Sequence, residues 1–337
     1  MKRAFFLTLG GIGLGTWAVS RLVRSSYSFM GKSVVITGGS RGLGLTIARR
    51  MAREGARIAL LARDQEELET ACRELRGIGA EALAVPCDLL DRGQSLGAIE
   101  TVMDRFGAID VLINNAGIIE IGPLENMRRN DFEKAMHLHF WAPFNLIQQV
   151  IPHMRRQGEG RIVNISSIGG KVAVPHMAPY SMSKFALVGL SDAFRSELAA
   201  DGIHVTTVTP GLMRTGSQVH AQFKGNHGAE YTWFALSASL PFTAVKAGRA
   251  AAKIVEACRR GQASLTIGLH ARLAIIGNAV FPSLTGEFMK IANRLLPSPV
   301  GVEGDELVSG AKAREEAALP EWLMRFGEKA SAEHNEL

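Results

Sequence analysis

A chain of 337 residues with 47% hydrophobic and 21% charged residues has apolar material for one large or two small cores, and is not a disordered polymer by composition. The net charge of +6 is scattered, and the absence of a Lys/Arg run with interleaved aromatics argues against nucleic acid as a partner; cations instead flank an apolar N-terminus, where anionic lipid is the more natural one. Cys72, Cys87 and Cys258 show neither metal-ligand spacing nor an even framework, and read as small apolar fillers in a reducing compartment.

Met1-Lys2-Arg3 opens the chain, an uncharged apolar stretch occupies residues 4–19, and Arg21 and Arg24 follow it. The stretch is a little short of the roughly 20 residues a membrane span needs, and a snorkelling Arg21 would extend it through Leu22-Val23. Residues 1–30 are therefore expected to be an uncleaved membrane anchor. A cleaved signal peptide would want a small-residue cleavage site, and none is persuasive here. A buried core helix is disfavoured because the first strand starts only near Ser33. Gly10-Gly11, Gly13 and Gly15 would let two such helices approach closely, one route to a homo-oligomer, with bare flexibility as the other reading. Arginine counts are similar on both flanks, so charge does not set the orientation.

Residues 33–37 form a short β-branched run that ends in glycines, so they read as a buried strand. A helix over 43–54, stopped by Gly55, leads to a strand at 57–61 and a helix at 65–76. Strands at 82–85 and 111–113 flank a helix at 93–106. One long helix is expected near 131–156, then a strand at 161–165, a helix at 179–200 and a strand at 204–208. Strands alternating with helices imply an α/β fold with a doubly wound parallel sheet, a Rossmann domain over 31–268, with right-handed crossovers. Residues 212–240 are polar and aromatic by turns, with His220, Phe223, Tyr231, Trp233 and Phe234, and are expected to be a long irregular substrate loop or lid. A helix at 244–260 and a last strand at 264–267 complete the domain. Residues 269–300 hold two apolar stretches, 273–281 and 288–296, which read equally as surface helices on a membrane or as an ordinary interface or lid. The tail, 301–337, is charged and Ala-rich, and is expected to be a linker with one short helix, partly disordered.

Tyr180 and Lys184 stand four residues apart, on one face of the expected helix, and Ser167 lies 13 residues before Tyr180. An ammonium beside a phenol favours the phenolate and would bring a Tyr pKa from about 10 toward neutrality. Such a Tyr serves as general acid or base on a carbonyl or alcohol, and the Ser167 hydroxyl would hold the substrate oxygen. Tyr and Lys at this spacing are common on solvated helices. The order of motifs adds the specificity: Thr37-Gly38-Gly39-Ser40-Arg41-Gly42-Leu43-Gly44, then Asn114-Asn115-Ala116-Gly117, Ser166-Ser167, Tyr180 with Lys184, and Pro210-Gly211. By this ordered set the chain, from about residue 31 to about residue 268, resembles the short-chain dehydrogenase/reductase family.

Gly38, Gly42 and Gly44 give a tight turn, close approach of backbone to a pyrophosphate and close helix–strand packing, and the helix N-terminus after them favours phosphate. Ser40, Arg41 and Leu43 belong to the same turn. An NAD site would want a carboxylate at the end of the second strand, where this chain reads Leu61-Ala62-Arg63-Asp64. Arg41 and Arg63 would bracket a 2′-phosphate with charge-assisted bonds, so NADP(H) is the expected cofactor; Asp64 reads either as a carboxylate for the ribose hydroxyls or as the N-cap of the next helix. The resemblance further implies that Asp88 and Leu89 meet the adenine, Asn115, Ala116 and Gly117 the adenosine ribose side, and Tyr180 and Lys184 the nicotinamide ribose, with Pro210, Gly211 and Thr215 at the carboxamide.

The family often carries an Asn on the long helix that supports a proton-relay water behind the Lys; here that position falls on His139. A histidine also bonds water and titrates near neutrality, while a packed histidine is the plain alternative. Together these features lead us to expect an NADP(H)-dependent oxidoreductase that interconverts a lipophilic carbonyl and its alcohol at a membrane, with the catalytic domain in the cytoplasm. A non-catalytic NADP(H)-binding sensor or scaffold is the rival, and intact Ser167, Tyr180 and Lys184 argue against it.

Overall fold

Val34, Val35 and Ile36 lie between Lys32 and Gly38 and are fully buried in the computed structural model, which describes residues 27–214, 218–239 and 244–317. A run of this kind suits a strand covered on both faces. It forms β1 (Ser33–Thr37), the third strand from one edge of a seven-stranded sheet. The helix α1 (Gly42–Arg53) leads to β2 (Arg57–Ala62), α2 (Gln65–Gly77) to β3 (Ala82–Pro86), and α3 (Arg92–Phe106) to β4 (Val111–Asn114). Beyond them come β6 (Gly160–Ile165), α6 (Ala178–Leu198), β7 (Ile203–Pro210), α8 (Ala247–Arg259) and β11 (Ser264–Ile267).

All pairings in this sheet are parallel, in the order β3-β2-β1-β4-β6-β7-β11. The chain winds outward from β1 in both directions, so the crevice lies between the carboxyl ends of β1 and β4. One core packs Leu45, Ile47 and Met51 of α1 with Ile254 and Val255 of α8 against one face; Val102 of α3, Val150 and Leu187 fill the other. This is the doubly wound sheet expected from the strand–helix alternation.

The long helix expected near 131–156 is interrupted. It consists of α4 (Arg129–Met136), a π-helical turn over His137–Trp141, and α5 (Ala142–Gln157). Pro143 has no N–H to give to a carbonyl four residues back, and the Ala142 N–H bonds instead to the His137 carbonyl. Wider turns of this kind concentrate at functional sites, and His139 sits inside this one.

The segment expected to be an irregular loop is largely ordered. It holds β8 (Met213–Arg214), β9 (Gln222–Phe223) and a helix, α7 (His227–Ser239). Tyr231, Phe234 and Ala235 of α7 are buried with Ile121, Phe223 and Val308. Tyr231, Phe234 and Ala235 stand at i, i+3 and i+4, but Trp233 and Leu236 lie off that face and blur the stripe, so periodicity alone did not reveal the helix. The first part of the tail is not a linker either. β12 (Val308–Ser309) pairs antiparallel with β9, which pairs parallel with β5 (Glu120–Ile121), and α11 (Gly310–Glu315) buries Ala313 beside them. Short-range hydropathy could not show that Val308 meets Phe223, because that pairing joins distant parts of the chain.

The two apolar stretches after β11 are the helices α9 (Leu269–Val280) and α10 (Pro282–Arg294), which pack on each other. At the other end, Tyr27 and Phe29, expected within the 1–30 anchor, belong instead to the domain core, with Arg161 over the Tyr27 ring at 4.3 Å and Arg259 over the Phe29 ring at 4.9 Å. The apolar stretch at 4–19 lies outside the described residues. Among the described residues, no helix is long and apolar enough to cross a membrane.

Candidate active site

Extended backbone at the end of β6 carries Ser167 out of the sheet, and its hydroxyl accepts the Gly169 N–H at 3.1 Å. Tyr180 and Lys184 come from the first turns of α6, where Pro179 starts the helix without a wasted N–H. Neighbouring Ser166 ties its hydroxyl to the Lys184 carbonyl at 3.0 Å, fixing α6 against β6. The three residues read from the sequence therefore converge: the Ser167 hydroxyl and the Tyr180 ring flank Gly169 on the same side, and the Lys184 ammonium lies 5.7 Å from the centre of the Tyr180 ring.

Burial dominates the electrostatics of the pair. It raises the Tyr180 phenol above its ordinary value, and the Ser167 hydrogen bond offsets only part of that. Lys184 is buried and donates to the Ile165 carbonyl at 3.0 Å; burial lowers its pKa to about 7. The expectation that the ammonium would draw the phenol toward neutrality is thus corrected: removal from water disfavours both charged forms more than the neighbours restore them.

His139 is almost fully buried and stands edge-on to Tyr180, with ring centroids 5.5 Å apart. Its Nε2 accepts the Ile118 N–H at 3.1 Å, so Nδ1 carries the proton of the neutral ring and faces the Ser183 hydroxyl at 2.7 Å. That hydroxyl in turn donates to the Tyr180 carbonyl at 2.9 Å. Burial and then the Lys184 charge hold the imidazole well below its ordinary pKa. Ser183 was not singled out by the sequence; its only signal is its position three residues after Tyr180.

The glycine-rich turn is built around close approaches. Gly38 has φ of 61°, and a Cβ there would stand 2.9 Å from the Ala116 Cα; a Cβ on Gly44 would stand 2.1 Å from the Gly38 carbonyl oxygen. Thr37, also missed in the sequence, accepts the Asn115 and Ala116 N–H groups at 2.9 and 3.0 Å. The Asn115 side chain donates to the carbonyls of Thr37 and Gly38, so it braces the turn. Asn114 bonds Asn164, which bonds Ser191, tying β4 through β6 to α6.

These residues fit a dinucleotide. α1 begins at Gly42 with no side-chain cap, so its first N–H groups are left for a ligand at the end of the glycine-rich turn. β2 ends at Ala62 without a carboxylate, Arg63 beyond it is exposed, and Asp64 caps α2 by accepting the Glu67 N–H at 2.9 Å. The Glu67 carboxylate, unforeseen, holds Arg41 at 2.5 Å and the Ser40 hydroxyl at 2.9 Å. Asp88 and buried Leu89 follow β3, with Asp88 accepting the Leu90 N–H. Pro210 ends β7, and the Gly211 N–H bonds the Ile267 carbonyl at 2.9 Å. Thr215 lies outside the described residues.

Known proteins match this arrangement. The chain is 38% identical over 190 residues to a ketoacyl reductase, HetN, of Nostoc sp., across 56% of this chain and 66% of that protein, just under two thirds of its length. It is 39% identical over 183 residues to a putative ketoacyl reductase of Streptomyces coelicolor, across 54% of this chain and 70% of the relative. Among solved structures, an actinorhodin polyketide ketoreductase with NADPH aligns at a TM-score of 0.63 and 31% identity, over 70% of this chain and 95% of that one. The L-sorbose reductase of Gluconobacter frateurii, complexed with NADPH and L-sorbose, aligns at 0.66 and 26%, over 72% and 97%. The family model described as short chain dehydrogenase matches residues 32–224, more than half of the chain and the part that carries the sheet and the Ser167–Tyr180–Lys184 cluster. The protein therefore belongs to the short-chain dehydrogenase family, oxidoreductases that act on alcohol and carbonyl groups.

Proposed function

We propose that the protein is an NADPH-dependent ketone reductase for a lipophilic, acyl-chain-like substrate, held at a membrane by the apolar stretch at residues 4–19 with its catalytic domain on the cytoplasmic side. The observation that carries the reading is the half-buried Tyr180, held protonated by its surroundings beside Ser167 and the buried Lys184. A phenol kept protonated at neutral pH is a general acid, the group a ketone needs when its oxygen becomes an alkoxide.

The hydride for the carbonyl carbon would come from NADPH held by the glycine-rich turn. Ser167 donates a hydrogen bond to the carbonyl oxygen and fixes its distance from the phenol. Tyr180 gives its proton to that oxygen. The positive charge of Lys184 then favours the phenolate left behind, more strongly in a water-poor site than it would in bulk. Lys184 would also reach the nicotinamide ribose. Arg63 and Arg41 would hold the 2′-phosphate, since Ala62 offers no carboxylate to the ribose hydroxyls of NAD. Two similar proteins are named ketoacyl reductases, which supports the ketone half of the reading; similar solved structures include both NADPH-bound and NAD+-bound enzymes, so the cofactor half rests on Ala62, Arg63 and Arg41.

The test is consumption of NADPH by the full chain with a panel of ketones: 3-ketoacyl thioesters of increasing chain length, and short water-soluble ketones. Turnover that rises with chain length supports the reading. Absence of turnover with every member, despite NADPH binding, favours the sensor instead.

A further inference from the structure

The helices α9 and α10 leave their apolar faces unburied. Leu269, Leu273, Ile276 and Val280 follow one another along α9, and Leu284, Phe288, Ile291 and Leu295 run along α10 to the residue just past its end; with Phe281 between them, each is 57% to 83% exposed. Both sets recur at i, i+4, i+7 and i+11, the spacing of a helix stripe that a globular protein normally turns inward. Ala271 is the one buried residue of α9, and α10 has none. A contiguous apolar patch of this kind marks a contact surface.

We propose that this hairpin docks in the plane of an anionic phospholipid bilayer and sets the mouth of the active site against it. Charge selects the occupant. Arg272, Lys290 and Arg294 are the Lys/Arg residues of the hairpin, and Glu287, its one carboxylate, is already paired with Lys290 at 2.6 Å. An apolar stripe with flanking cations is the chemistry of a helix lying in the headgroup region of anionic lipid. A second copy of the hairpin offers no free carboxylate to Arg272 and Arg294, because its Glu287 is likewise paired with Lys290. The chain enters the domain at the amino ends of the strands, where Tyr27 packs against Arg161 at the start of β6, whereas α9 leaves from the carboxyl end of β11.

Position gives the surface a role. The Asn278 side chain of α9 donates to the Lys171 carbonyl at 3.0 Å, on the loop between Ser167 and Tyr180, and His270 lies against Gly211. The root of the hairpin thus sits at the edge of the sheet that carries the catalytic cluster, and a ketone dissolved in lipid reaches the crevice without crossing water. The identity of the entering molecule rests on the reductase reading; the docking does not.

The experiment labels the full chain at Phe288→Cys with an environment-sensitive fluorophore, since Cys72, Cys87 and Cys258 are buried. The same label at Ile78→Cys, exposed on the far side of the fold, is the control. Vesicles of phosphatidylcholine and phosphatidylglycerol, with and without brominated acyl chains, are added. The label at 288 should shift to the blue and be quenched by the brominated lipid, and the label at 78 should do neither. A label at 288 that stays unquenched while the protein cosediments with vesicles overturns the proposal. So does a blue shift without vesicles that grows with protein concentration, which means self-association, or one that does not, which means cover by the chain itself. In a second arm, Leu284→Ser, Phe288→Ser and Ile291→Ser combined should raise KM several-fold for a long-chain ketone presented in vesicles and leave kcat and the KM for a short soluble ketone unchanged. An unchanged KM for the long-chain ketone overturns the access route. A wild-type chain that reduces neither ketone sinks the reductase reading and leaves the quenching result standing.

Discussion

Tyr180, Lys184 and His139 share one small buried volume, and their protonation states decide what each does. Tyr180→Phe removes the only proton the proposed mechanism passes to substrate, so turnover should fall roughly 10²–10⁴-fold while NADPH affinity, read by fluorescence titration, stays nearly constant. Retained activity within tenfold would end the assignment. Lys184 gives a test in the cofactor-free protein. Its folded pKa of about 7 lies below the ordinary 10.5, so the unfolded chain binds more protons between those values and stability rises with pH across that window. Lys184→Met should therefore raise Tm most at or below pH 7, with the gain vanishing near pH 10.5, while turnover is lost. A gain independent of pH would show that the ammonium is not held down by burial. For His139 the depressed pKa moves any titration well to the acid side of neutral. His139→Asn should lower kcat by about fivefold, the equivalent of one hydrogen bond of about 1 kcal/mol, and leave the pH profile above pH 6.5 unchanged in shape. Loss of a limb near neutrality would instead mean that the imidazole charges during turnover.

At the scale of elements, the end of β2 and the start of α1 set the cofactor preference. Arg63→Ala should weaken NADPH binding by about 1.5–3 kcal/mol, the worth of a hydrogen bond to a charged group, and barely affect NADH. An enzyme that prefers NADH before mutation would show the 2′-phosphate reading wrong. Glu67 sharpens the test. Its carboxylate neutralises Arg41 and would lie near an incoming phosphate, so Glu67→Gln should tighten NADPH more than NADH in the same titration. The sequence placed β1 and β2 within a residue of where they lie, because each is a β-branched or apolar run bounded by glycine or charge. It failed at 131–156, where a proline-linked π turn breaks the helix, and at α7, where Trp233 and Leu236 off the buried face blur the stripe of Tyr231, Phe234 and Ala235. Both failures sit against the catalytic crevice.

For the whole molecule, the apolar stretch at 4–19 is expected to keep the full chain in membranes against high salt, since burial of that many apolar side chains far exceeds what screening reverses. Removing residues 1–24 should spare activity and convert the remaining association, through α9 and α10, into one that salt disrupts. Salt-resistant sedimentation of the shortened chain would move the anchor to the hairpin, and a full chain that stays in the supernatant would remove the anchor altogether. Protease protection on sealed vesicles decides the side: the catalytic domain should be cleaved from the cytoplasmic face.

Local order in the sequence was enough for the parallel sheet, the glycine-rich turn and the convergence of Ser167, Tyr180 and Lys184, because strand alternation and ordered motifs are properties of neighbouring residues. Asp64 as a cap rather than a ribose ligand was also foreseeable, since capping acts over three residues. What depends on distant residues was decided only by the fold. Burial from several elements set the proton affinities of Tyr180 and Lys184 against the trend that their spacing alone suggests. The bonds of His139 to Ile118 and Ser183, the hold of Glu67 on Arg41, and the return of Val308 to Phe223 join segments far apart in the chain. The exposure of α9 and α10 was equally hidden, because an amphipathic pattern shows that a helix has an apolar face and only packing shows whether the protein itself covers it.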